Sequence, residues 1–183
     1  MKFSTIFSLC MVGGAIAAPV QLQKRDDKWV REALQHVQPD INQLERHLQG
    51  NPGRNEQESR VFISRALELQ DKVTGTLKYA ADYVHNGPDL SVLEFAGLSS
   101  WTGPLTKSQG ICASQWIKLK PYVNAVGAHQ ATLKAMEDVN REASRFLDSI
   151  WHKTNGITAA LTTGFKSSIL NDLGRAVTEY RKP

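Results

Sequence analysis

The chain has 183 residues, 41% of them hydrophobic and 22% charged, with two cysteines and a formal net charge of +4. That length holds at most one ordinary domain plus a tail, and the apolar fraction is enough for a core. Wholesale disorder, a disulfide-rich scaffold and a collagen-like or proline-rich chain are excluded.

The amino end reads as an address. Lys2 precedes a stretch, Phe3 to Ile16, almost free of strongly polar groups, with Ile6, Phe7, Leu9, Met11 and Val12 as its body. Small residues follow at Ala15, Ala17 and Ala18. Residues 1–18 are therefore expected to be a secretory signal, cut after Ala17 or Ala18. The apolar run is too short to cross a membrane. Residues 19–25 read as a short pro-segment whose Lys24-Arg25 pair is a processing site; the other reading is two ordinary solvated charges. The domain proper then spans 26–183.

Processing changes the charge argument. Loss of Lys2, Lys24 and Arg25 from the 22 basic residues leaves 19 against 18 acidic ones, a net of +1. Nucleic acid loses its electrostatic footing as a partner, and attraction to an anionic membrane weakens for the same reason. Cys10 leaves with the signal, so Cys112 stands alone and closes no internal disulfide. A reactive thiol and an intermolecular bridge stay open; a small buried hydrophobe is the expected state.

The remainder reads as helices. Val30, Leu34, Val37, Ile41, Leu44 and Leu48 recur at steps of three and four and form one stripe, with Pro39 placed to bend or split it. Gly50 to Gly53 make a break. Asn55 with Glu58 is a capping-box pattern. It opens a stripe of Phe62, Ala66, Leu69, Val73, Leu77, Ala80 and Val84. Gly75 inside that stripe costs about 1 kcal/mol against alanine without ending the helix. Asn86-Gly87-Pro88 ends it.

Ser91 to Glu94 repeats the capping pattern and predicts a short helix with Leu90, Leu93 and Leu98. Gly103-Pro104 is expected to close that segment and start another, carrying Leu105, Cys112, Trp116, Leu119 and Val123. Pro121 threatens a kink near its end, and Gly127 punctuates. His129, Leu133, Met136, Asn140, Ala143, Leu147 and Ile150 lead to Trp151. After Asn155-Gly156, a last stripe runs through Ile157, Leu161, Phe165, Ile169, Leu173, Val177 and Tyr180. Alternating β-branched runs are missing, so the expected fold is an all-α bundle of five or six amphipathic helices.

No constellation for chemistry stands out. HExxH, GxSxG, a glycine-rich phosphate loop and paired metal-binding cysteines are all missing from the sequence. His36 and Asp40 lie four apart and could meet His47 around a metal, but a solvated His–Asp pair is the plainer reading. Cys112 with His129 or His152 as nucleophile and base has no local support. A non-enzyme without cofactor or metal is expected. There is no N-glycosylation sequon, and the charged end Glu179 to Pro183 lacks the hydrophobic tail of a GPI signal.

Three stretches carry a resemblance. They are Val37-Gln38-Pro39-Asp40-Ile41-Asn42-Gln43-Leu44, Gly87-Pro88-Asp89-Leu90-Ser91-Val92-Leu93-Glu94 and Leu119-Lys120-Pro121-Tyr122-Val123. They follow a short signal and dibasic segment and precede two long amphipathic helices, Leu133 to Ile150 and Thr158 to Tyr180. In this order they resemble the fungal hydrophobic surface-binding protein A family, the cell-wall galactomannoproteins, over most of residues 28–180. The resemblance implies a secreted all-α domain that adsorbs to hydrophobic surfaces, in some members with fatty-acid-like lipids between the helices. The chain departs from it in having four tryptophans, a lone Cys112 and no Ser/Thr-rich wall-attachment tail.

The expected function is therefore a secreted, non-catalytic protein, loosely associated with the cell wall at most. It binds hydrophobic surfaces or fatty-acid-like lipids through apolar faces between helices. Candidate lining residues are Leu69, Val73 and Leu77 on one stripe and Phe165, Ile169 and Leu173 on another; ordinary dry core is the competing reading for each. A buried acyl chain gains about 0.8 kcal/mol per CH₂ before costs. The alternative is a secreted effector acting by contact with a host protein. A secreted hydrolase is the other protein partner considered, and a structural wall component is a weaker reading.

Overall fold

The computed structural model describes residues 28–90, 98–153 and 159–182. The signal, the pro-segment with Lys24-Arg25, the Ser91–Glu94 capping pattern and the Asn155-Gly156 break lie outside them. The described residues form five helices and no strand: α1 Lys28–Leu48, α2 Glu56–His85, α3 Ser99–Ala125, α4 His129–His152 and α5 Ala159–Arg181.

The periodicities account for the helices directly. All six stripe residues of α1 are buried. Pro39 neither splits the helix nor ends it. It removes a single N–H, which would have bonded the Gln35 carbonyl, and the buried Val37 and Ile41 beside it hold the two halves in line. At the start of α2 the Asn55 side chain accepts from the Glu58 N–H at 2.9 Å. Glu58 reaches back to accept from the Arg54 N–H at 2.7 Å, one residue earlier than a capping box requires.

The expected break at Gly103-Pro104 does not occur. Ser99–Ala125 is one helix with Pro104 and Pro121 both inside it. Pro104 lies near the amino end, where few carbonyls precede it, and the buried Leu98 and Leu105 anchor the chain on either side. Leu90 stands outside any helix and donates its N–H to the Lys153 carbonyl at 2.6 Å. Leu98 caps α3.

Gly127 ends α3 by a Schellman motif. Its φ of 70° lies in the left-handed region. The Ala128 N–H bonds the Val123 carbonyl at 2.9 Å, and the Gly127 N–H bonds that of Asn124 at 3.1 Å. Gly87 is required for another reason. A Cβ there would stand 2.4 Å from the Trp29 ring, so only glycine lets the end of α2 close on the start of α1.

Each helix packs mainly on two others, in the cyclic order α1–α2–α4–α5–α3 and back to α1. Five helices around one axis leave a wider centre than four at the usual spacing of about 8–10 Å. Large side chains fill that centre, among them Leu34, Ile41, Leu77, Leu105, Phe146 and Leu147.

Polar ties join the helices both around the ring and across it. The buried Trp116 indole donates to Gln70 at 2.9 Å, joining α3 to α2. Tyr180 donates to the Trp116 carbonyl at 2.9 Å, joining α5 to α3. Asp40 accepts from Thr76 at 2.6 Å and pairs with Lys72 at 2.8 Å, joining α1 to α2. Lys120 donates to the Glu179 and Lys182 carbonyls and so caps the end of α5.

Candidate functional site

Among the described residues, two narrow gaps lie along the axis of the ring. The upper gap, about 10 Å³, is enclosed by Leu34 of α1, Leu98 and Thr102 at the start of α3, Leu147, Ile150 and Trp151 of α4, and Phe165 and Lys166 of α5. The lower gap, also about 10 Å³, is enclosed by Ile41, Leu77, Leu105, Gln109, Ala143, Phe146, Leu147 and Ile169. Leu147 lines both. Between Leu34 and Ile41, α1 advances seven residues, about 10 Å. The gaps are thus successive apolar layers within the core, separated at Leu147.

A volume of about 10 Å³ admits roughly one water-sized sphere. The walls are almost wholly apolar, so water gains no partners there. An acyl chain gains contacts along its whole length, provided the side chains at Leu147 move aside.

The six candidate residues from the sequence divide between these places. Leu77 and Ile169 line the lower gap and Phe165 the upper one. Leu69, Val73 and Leu173 are buried core and line neither gap. Periodicity did not single out Leu34, Leu147 or Ile150 as lining residues. Each sits in a stripe that reads as core, and only the order of helices around the ring turns it toward the axis.

The groups considered for chemistry are held apart. Asp40 is engaged by Lys72 and Thr76 on α2 rather than by a histidine. His47 stacks on Phe62, with ring centroids 4.4 Å apart, and bonds its carbonyl at 2.9 Å. His36 meets the edge of Tyr79. No group of three metal-ligating side chains occurs among the described residues. Cys112 is 1% exposed, and its thiol faces the Ile41 carbonyl at 3.9 Å. Burial, with a smaller push from Glu45, raises its pKa to about 12, which removes the thiolate that nucleophilic chemistry needs. His129 bonds Asn124 at 2.8 Å.

Among the described residues, two open grooves mark the surface. One, about 720 Å³, runs over α4 between α2 and α5 and includes His85, Asn140, Arg141 and His152. Its charged walls are engaged in ion pairs, Arg145 with Asp82 across the groove and Asp148 with Lys166 beside it. Such walls suit water better than an acyl chain. The other, about 590 Å³, lies between α1 and α3 and is mainly apolar, with Leu34 as part of its floor.

Comparison with known proteins decides the fold. The structure superimposes on ligand-binding domain 2 of the Penicillium marneffei MP1 protein, solved with multiple arachidonic acids, with a TM-score of 0.77. The match covers 88% of this chain and 99% of that one at 14% identity. This is the fold of the fungal mannoprotein ligand-binding domains. Domain 1 of the same MP1 protein, complexed with arachidonic acids, matches with a TM-score of 0.76 over 85% of this chain and 99% of that one at 12% identity. AFMP4P in complex with palmitic acid matches with a TM-score of 0.75 over 85% of this chain and 99% of its own, at 13% identity. No family model and no curated protein matches the sequence. At these identities the mannoprotein likeness is one of architecture, carried by helix order and packing rather than by shared residues.

Proposed function

We propose that the protein is a secreted, non-catalytic lipid binder that encloses a long-chain fatty acid in the axial channel of its five-helix ring. The observation that carries this reading is the pair of apolar gaps stacked about Leu147. It is supported by the shared architecture of domains solved with arachidonic and palmitic acids. The signal-like segment over residues 1–18 supports secretion, and membership of the hydrophobic surface-binding protein A family is part of the same proposal.

The energetics favour a chain that opens its own site. Each CH₂ withdrawn from water contributes about 0.8 kcal/mol. A long acyl chain therefore gains on the order of 10 kcal/mol gross. Association entropy and the parting of Leu147 from its neighbours offset part of that. The closed ring without lipid stays compact because its apolar side chains fill the centre until a ligand replaces them.

Organic extraction of the purified protein followed by mass spectrometry tests the reading. A long-chain fatty acid recovered in about one equivalent, or saturable uptake of palmitate by the delipidated protein, is the expected result. A protein that yields no lipid and takes up no palmitate would refute it.

A further inference from the structure

We propose that the groove between α1 and α3 is a separate surface site for one long-chain carboxylate, with the acid group on Arg46 and the chain along Leu34, Pro39, Trp101 and Pro104; the assignment rests on the lipid-binding reading above. At about 590 Å³ the groove has the size of a small-molecule site. Trp101 leaves 36% of its surface in water, so an aromatic face is already presented there.

The charge in this groove selects the ligand. Arg46 is its charged lining residue. Its Nε donates to the Asn42 carbonyl one turn back at 3.2 Å, and it makes no ion pair among the described residues. The contrast with the groove over α4 is sharp, because Arg145 there is held by Asp82. An apolar trough ending at an uncommitted guanidinium fits an amphiphile with an anionic head, whose carboxylate the arginine fork binds in two parallel hydrogen bonds. From Leu34 to Arg46, α1 advances twelve residues, about 18 Å, which sets the length of chain the groove can carry.

Both prolines contribute to the groove. Pro39 and Pro104 face it from opposite helices, and each lacks the N–H of an ordinary helical residue. Gln35, whose carbonyl Pro39 leaves without its helical donor, lines the same wall. Leu34 belongs to both the groove and the upper axial gap, so the surface site and the interior meet at this leucine.

Fluorine NMR of fluorotryptophan-labelled protein distinguishes the two places, because Trp101 lines the groove and Trp151 the upper gap. Trp101→Phe and Trp151→Phe assign the two signals. Palmitate should shift the Trp101 signal saturably. Arg46→Gln should weaken the affinity read at Trp101 about five-fold while leaving that for methyl palmitate unchanged. A palmitate response confined to Trp151, or an unaltered palmitate affinity in Arg46→Gln, would overturn the surface site and leave the interior one standing. Silence of both signals would overturn the two together.

Discussion

At the scale of single residues, Cys112 shows how burial decides reactivity. The thiol is isolated in the sequence, and its surroundings in α3 exclude water. Its pKa is pushed from 9.0 to about 12 in the folded protein. Above the unfolded value the unfolded chain releases a proton that the folded one keeps, so stability present below about pH 9 declines as pH rises toward 12. Burial raises the Tyr180 hydroxyl as well, in the same direction. Urea midpoints measured across that range should fall with pH in the native protein and fall less steeply in Cys112→Ala. A thiol reagent at pH 8 should modify Cys112 only after unfolding; rapid labelling of the folded protein would contradict the burial argument. Burial of Cys112 was readable in advance, because it sits on an apolar stripe. The partners of Asp40 were not: Lys72 and Thr76 lie more than thirty residues away on another helix.

At the scale of elements, the stripes of three-four spacing located α1, α2 and α4 because each buries one continuous face. The prolines were harder to read. Pro39, Pro104 and Pro121 all lie inside helices, since one lost hydrogen bond costs less than the burial of the flanking residues contributes. Which stripe residue meets the axis depends on how two helices rotate against a third. Leu147 belongs to α4 but stands between the two gaps that α1, α3 and α5 also line. Leu147→Ala should join the two gaps. Its unfolding free energy without lipid should drop by about 2–5 kcal/mol, as for other buried leucines. Its affinity for palmitate should rise, because the chain no longer has to displace the side chain. Urea unfolding with and without palmitate reads both effects. Weaker palmitate binding by the variant would show that the chain does not run past this position.

At the scale of the whole molecule, the ring of five is the property on which the proposed lipid binding rests. A ligand bound only to the folded state stabilises it by mass action, about 2.7 kcal/mol at one hundred times its dissociation constant. For a chain of this size the thermal midpoint should therefore rise by about 5–10 °C in saturating palmitate. Calorimetry of the delipidated protein with and without palmitate checks this. A midpoint that does not move would mean that the folded chain does not bind the lipid in preference to the unfolded one, and would refute the proposed interior site.

The sequence by itself determined the class of fold and the helical stripes, because helical periodicity is local and each stripe must be buried somewhere. It also excluded a disulfide framework and catalytic motifs of known spacing. Only the tertiary structure decided the cyclic order of the helices. From that order came the two gaps about Leu147, the separation of Leu77, Phe165 and Ile169 from the solid core around Leu69, Val73 and Leu173, and the groove that brings Trp101 beside α1 and Arg46. The physical reason is that an apolar side chain has no preferred partner. Hydrophobic burial is non-directional, so the stripe specifies that a face is covered, while the packing of all five helices specifies what covers it and where space remains.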